Sequence, residues 1–197
     1  MGAGLVVCFS GRIGSGKSSV TQTLANALRW PRASFGDYVR ARVADRGGDP
    51  SSRKELQNLG QMLVETDPSG FAAAVLQARG YKRGADLLVD GIRHVAIQGT
   101  IARLVSPSPA FLIHLAADDF HVRHRIEHRT AGLADLPRAE GHAVEAEVRS
   151  SLPSIASVVI DANVPLHVVL DRCLTAIERF WCSTASNRKC ARLHIFR

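Results

Sequence analysis

Gly11-Arg12-Ile13-Gly14-Ser15-Gly16-Lys17-Ser18 satisfies G-x-x-x-x-G-K-[ST] in full, and its flanks are those the pattern requires. Before it, residues 4–9 form an almost unbroken apolar run that reads as a buried central strand. After it, Val20, Leu24 and Leu28 recur at four-residue intervals, one apolar stripe of a helix opening near Lys17. A glycine-rich turn in that setting lets successive backbone N–H groups point inward at phosphates. The helix adds the positive end of its dipole at the same place. Lys17 is then placed to reach the β- and γ-phosphates of a nucleoside triphosphate, and the Ser18 hydroxyl to ligate Mg²⁺; Ser19 completes the expected binding loop.

Outward from this loop, strands and helices alternate, the pattern of a parallel sheet covered on both faces. A short strand is expected near 32–35, then a helix from Asp37 that Gly47-Gly48 ends. Ser52-Arg53-Lys54-Glu55 is a capping box for a helix carrying Leu56, Leu59 and Leu63 on one face. Pro68 opens another. Leu87-Leu88-Val89 reads as a buried strand ending at Asp90, residues 111–115 as the next and residues 158–160 as the last, with a closing amphipathic helix over residues 166–180. The predicted fold is α/β: three layers, with a central five-stranded parallel sheet and helices on both faces. Residues 1–180 form one domain, with an acceptor arm at about 36–80 and a short lid at about 118–141. The lid helix has Phe120, Val122 and Ile126 as its core-facing residues. Residues 181–197 are expected to be a poorly ordered basic tail.

Hydrophobic residues make up 46% of the 197 and charged residues 22%, an ordinary globular balance. No apolar run approaches the ~18–20 residues of a membrane span, and the first run is too short for a signal-peptide core, so a cytoplasmic location without membrane attachment is expected. The net charge of +7 is concentrated in Arg179, Arg188, Lys189, Arg192 and Arg197, with no acid after Arg179. The rest is nearly balanced, which argues against a nucleic-acid-coating surface. The four cysteines form no C-x-x-C pair and match no usual zinc spacing, so no disulfide framework and no structural zinc are expected, and Cys8 reads as a buried thiol. His121, His124 and His128 share a helix with several arginines, whose charge opposes a bound cation, so a solvated or phosphate-facing surface is expected there.

Asp90, at a strand's C-terminal end, is placed to hold the Mg²⁺ shell through water. A turn or helix cap is the other role open to an Asp before Gly. The chain between Lys17 and Asp90 far exceeds a minimal crossover, enough for an arm over the site. Phe35-Gly36-Asp37-Tyr38-Val39-Arg40 begins that arm, and Asp90-Gly91-Ile92-Arg93-His94 follows the carboxylate. If both border one cleft, Arg40 and Arg93 can converge on an anionic acceptor.

The loop, the Gly36-Asp37-x-x-Arg40 segment and the Asp90-Gly-Ile-Arg93 segment resemble the nucleoside monophosphate kinase superfamily, over roughly residues 4–178 in element order. Adenylate kinases carry Thr-Gly-Asp-x-x-Arg and Asp-Gly-Phe-Pro-Arg in the same order. The likeness is closer to a little-characterised group similar to dephospho-CoA kinases and adenylate kinases. It implies an ATP-dependent phosphotransferase using Mg²⁺ and acting on a nucleotide-type acceptor, most simply a nucleoside or deoxynucleoside monophosphate. Arg40 and Arg93, with Asp37, would then bind the acceptor. A lid of Arg123, Arg125, Arg129 and Arg138 would close on the transferring group, leaving Lys17, Arg93, Arg125 and Arg129 as the catalytic cations. Asp37 is either a general base for a hydroxyl acceptor or the cap of the helix that carries Arg40. Phe35 stands where adenylate kinases have Thr, and Ile92 where they have Phe-Pro, so AMP specificity does not carry over. Two alternatives follow: a hydroxyl-directed kinase of dephospho-CoA type, and a nucleotide-dependent ATPase switch without a small acceptor.

Overall fold

Five parallel strands lie in the order β2-β3-β1-β4-β5: β1 (Val6–Gly11), β2 (Arg32–Ser34), β3 (Leu87–Ile92), β4 (Ala110–Ala116) and β5 (Val158–Asp161). The computed structural model of the chain describes residues 4–127 and 143–184. The five-stranded parallel sheet read from the sequence is therefore present, and β1 is its centre because it is apolar on both faces. Leu5, Val7 and Phe9 point into one cluster with Val20 and Leu24 of helix α1 (Lys17–Leu28) and Val169, Cys173 and Ile177 of the last helix. Val6 and Cys8 point into the opposite cluster, with Val39, Phe71, Ile97 and Ile101. Period-two alternation thus feeds two separate cores, the physical content of three layers. Each fully buried side chain of this kind contributes roughly 1.5–3 kcal/mol of transfer free energy.

The arm on the second face consists of α2 (Phe35–Asp45), α3 (Arg53–Thr66) and α4 (Pro68–Gln77). Its inner contacts are Phe35 edge-on to Phe71, with ring centroids 5.0 Å apart, and Tyr38 against the same ring. Helix α5 (Val95–Val105) follows β3, and α6 (Asp119–Glu127), α7 (Ala143–Arg149), α8 (Ser151–Ile155) and α9 (Leu166–Thr184) complete the chain order.

Four details depart from expectation. Helix α2 begins at Phe35, directly out of β2, and Ser34 is its N-cap, accepting from the Asp37 N–H at 3.1 Å. Asp37 is therefore not the cap, and its carboxylate is left for other partners. Phe120 is 73% exposed, while Val122 and Ile126 are buried, so the face of α6 turned inward is narrower than read. Helix α9 continues to Thr184, past the boundary placed at residue 180, and Cys182 within it is disulfide-bonded, where no disulfide framework was expected. Cys8 and Cys173 are free and buried. Most of the lid at about 118–141, including Arg129 and Arg138, and all of the tail beyond Thr184 lie outside the described residues. No helix among the described residues is long and apolar enough to cross a membrane.

The strand ends that carry the motifs are brought side by side by register. Phe9 of β1 pairs with Asp90 of β3, and a one-residue slip then sets Ser10 opposite Ile92. Gly91 absorbs the slip at φ 91°, and its open side faces Phe35 and Gly36. Asp90 is thereby lodged beside the first turn of α1 and the root of the arm.

Candidate active site

The loop between β1 and α1 closes on its own lysine. Lys17 is buried; its Nζ donates to the Gly11 carbonyl, to the Arg12 carbonyl at 2.9 Å and to Ser15 Oγ at 3.5 Å. Gly16 occupies the N-cap of α1 in the left-handed region, and no side chain caps that helix. Its first N–H groups are therefore left to an anion. Gly14 is where α6 meets the loop: at φ 80°, a Cβ there would stand 3.0 Å from both Val122 Cγ1 and Ile126 Cδ1. Helix α6 thus packs its two buried residues directly on the loop. Polar contacts run along the same seam. Arg12 pairs with Asp119 at 2.6 Å, and Arg125 donates to the carbonyls of Ser15 at 3.3 Å and Ala162 at 2.5 Å. Under the loop, His114 Nδ1 meets Ser10 Oγ at 2.9 Å. Burial, with the Lys17 charge added, pushes the His114 pKa down to about 4, so its ring is neutral.

Arg32 organises the acids. From β2 it donates through Nε to Thr21 Oγ1 at 2.9 Å, pairs with Asp37 at 3.0 Å and forms an ion pair with Asp90 Oδ2. Asp37 is also held by Arg40 at 2.5 Å. Burial alone would raise the Asp37 pKa, but hydrogen bonds from Arg40 and then Arg32 outweigh it and hold the carboxyl below its ordinary value. Asp90 is 3% exposed, and its Oδ1 is buried with no hydrogen-bond partner among the described residues. A carboxylate oxygen so placed is costly unless something faces it. A hydrated Mg²⁺ fits that need, with Ser18 on the adjoining turn. An ion held there would share its shell with phosphate oxygens and water, as Mg²⁺ commonly does.

A cavity of about 570 Å³ opens in front of these groups, between the loop and the arm. Lys17, Ser18 and Asp90 line it, as do the sequence-predicted Arg40 and Arg93 and the loop residues Ile13, Gly14 and Gly16. Asp37 and Arg125 stand behind its walls, holding Arg40 and the loop respectively. Arg53, the first residue of α3, was not singled out from the sequence and lines the same cavity. Burial lowers the Arg93 pKa to about 10; Asp90 offsets part of that, and the positive charge of Arg53 adds to it. Arg93 therefore stays charged near neutral pH with a second guanidinium close enough to repel it. Beside it, Glu147 of α7 accepts from the Val95 N–H and meets His94 Nδ1, each at 2.9 Å, and so caps α5.

Sequence reasoning missed Arg32 and Arg53. Arg53 carried a signal, since it sits in the capping box one turn before Leu56 and Gln57. Arg32 carried none, because its partners Thr21, Asp37 and Asp90 come together only in three dimensions.

With this geometry in view, the chain matches the model of a family described as AAA domain over residues 10–142. A UPF0200 protein of Aeropyrum pernix is 32% identical over 99 residues, about half the length of each chain. Among solved structures, a gluconokinase from Sinorhizobium meliloti superposes with a TM-score of 0.66 at 17% identity, covering 93% of this chain and 97% of that one. A shikimate kinase from Aquifex aeolicus superposes at 0.53 and 17% identity, covering 90% and 98%. The fold is that of P-loop kinases, in agreement with the resemblance drawn from the motifs.

Proposed function

The chain belongs to the AAA domain family whose model spans residues 10–142, and from that membership and its site we propose that it is a phosphotransferase moving the γ-phosphoryl group of ATP onto a small phosphate-bearing acceptor, of the nucleoside monophosphate class. The observation that carries this reading is the convergence of Arg93 and Arg53 in the cavity that also contains Lys17 and Asp90. Guanidiniums gathered at one cavity wall offer paired N–H donors to an acceptor's phosphate. Arg40, on the facing helix, adds a third cation.

In this reading an acceptor phosphate oxygen attacks the γ-phosphorus as the bond to the β-phosphate bridging oxygen breaks, and ADP leaves with that electron pair. Lys17 and the α1 N-terminus neutralise the donor phosphates; Mg²⁺, held by Ser18 and through water by Asp90 Oδ1, would supply further charge compensation. Arg125 fixes the loop through the Ser15 carbonyl and lies near Gly16, on the side where charge develops. Asp37, ion-paired twice and held acidic, is a weak base. A phosphate acceptor is already anionic and needs none. ATP as donor is consistent with a cytoplasmic location.

A hydroxyl-directed kinase is the second reading, and the fold neighbours favour it. They are a gluconokinase and a shikimate kinase, whose names point to acceptors other than nucleotides. The test is ADP formation from MgATP with each ribo- and deoxyribonucleoside monophosphate, with dephospho-CoA, gluconate and shikimate, and with no acceptor. Stimulation by a monophosphate, lost in Arg93→Met, supports the first reading. Stimulation by a hydroxyl acceptor alone supports the second. Equal turnover without any acceptor would leave an ATPase switch.

A further inference from the structure

Helix α3 turns one face to the cavity: Arg53, Leu56, Gln57, Gly60, Gln61 and Val64, at helical spacing, all line it. In the middle of that face stands a glycine, the worst residue for a helix interior after proline. Nothing in the backbone calls for it, since Gly60 is not among the positive-φ glycines. Nothing in the packing calls for it either: a Cβ built on Gly60 meets no described atom within 4 Å. Gly48 and Gly70 differ, because a Cβ there would collide with neighbouring side chains. What remains on the side of Gly60 is the cavity. The neighbouring Gln61 points the same way. Its Nε2 donates to Glu65 Oε1 at 2.6 Å, while its Oε1 is buried without a partner among the described residues.

Resting on the proposed phosphotransfer reading, we propose that Gly60 is an acceptor-specificity residue: its missing side chain lets the body of the acceptor lie against the α3 backbone, one residue from the unpartnered Gln61 carbonyl. The lining that Leu56, Val64, Phe35 and Phe71 give the cavity suits a flat ring better than a polyol, which needs a partner for every hydroxyl. Gly60 touches neither the donor loop nor the paired acids, so the effect of filling it is confined to the acceptor.

The experiment compares the wild-type chain with Gly60→Ala and Gly60→Val in three measurements: thermal unfolding, MgATP affinity, and kcat and KM for the best nucleoside monophosphate. Removing a helical glycine whose side faces open space raises Tm by about 2–4 °C in Gly60→Ala. The added methyl raises the acceptor KM about tenfold, and Gly60→Val raises it further, as extra methylenes do in a filled site. ATP affinity is unchanged. A Tm rise with an unaltered acceptor KM overturns the specificity role and leaves the phosphotransfer reading intact. If the wild type neither turns over nor binds any nucleoside monophosphate by calorimetry, both fall together. Loss of ATP affinity in Gly60→Ala also overturns the inference, since the effect would then not be confined to the acceptor.

Discussion

Arg32 holds Asp90 across 58 residues of chain, and the pair is nearly sealed from solvent, with side chains 12% and 4% exposed. Three segments that the sequence presents separately are joined here: β2, the first turns of α1 through Thr21, and the end of β3. Arg32→Met leaves Asp90 buried without its counter-charge and destabilises the fold by about 3–5 kcal/mol, the usual cost of breaking such a pair from one side. Arg32→Met combined with Asp90→Asn recovers much of that loss. Urea unfolding of the two single variants and the double variant measures both numbers, and a double variant no better than Arg32→Met would show that the charge pairing is not what stabilises.

Arg93 and Arg53 are expected to act on the acceptor and not on the donor. Arg93→Met raises the acceptor KM or abolishes turnover, at about 2–5 kcal/mol for a desolvated charge contact. Arg53→Met does the same more mildly. MgATP affinity, read by a fluorescent ATP analogue, is unchanged in both. Weakened ATP binding in Arg53→Met would assign that residue to the donor instead.

Gly14 is where α6 sits on the phosphate loop. Gly14→Ala combines a left-handed backbone, costing about 1–2 kcal/mol for a residue with a Cβ, with contacts near 3.0 Å to Val122 and Ile126. Both costs fall on the loop, so ATP affinity drops by at least tenfold while the sheet core is untouched. Adding Val122→Ala to relieve the contact recovers part of the affinity. Absence of recovery would mean that the backbone conformation alone is responsible.

His114 predicts a pH dependence of stability. Its folded pKa is depressed from 6.5 to about 4, so the unfolded chain takes up a proton that the native protein refuses. The stability it contributes is complete above pH 6.5 and is lost as pH falls toward 4, by about 1–3 kcal/mol in total. His114→Asn, which can still meet Ser10, flattens the Tm profile across that window. An unchanged profile would place the dependence in other groups.

The sheet and the loop were legible because their signals are local: apolar runs for β1 and β3, and fixed-spacing glycines before Lys17 and Ser18. Asp90, Arg40 and Arg93 were legible as motif members, and the structure gathers them into one cavity. The start of α2 was misplaced by two residues because β2 is short and runs straight into the helix, so Ser34 serves as both strand end and cap. The inward face of α6 was blurred because the helix carries few apolar residues to mark it. Arg32 was invisible for a different reason. A lone arginine after Trp30-Pro31 has no periodicity to betray it, and its meaning lies in three partners brought by other strands and helices.

The slip of register at Gly91 has a mechanical consequence. Asp90 and Arg93 stand three residues apart on one continuous piece of backbone, anchored in the sheet on the Asp90 side and capped by Glu147 on the other. Under the proposed roles, the separation between the metal and the acceptor's anion is therefore set by the pitch of a single strand end. Movement of the arm or of α6 can admit or shield the reactants, but it cannot stretch that distance. Under those roles β3 would work as a gauge, and an acceptor whose anion did not reach the gauge mark would be turned away by length before any contact with its body was made.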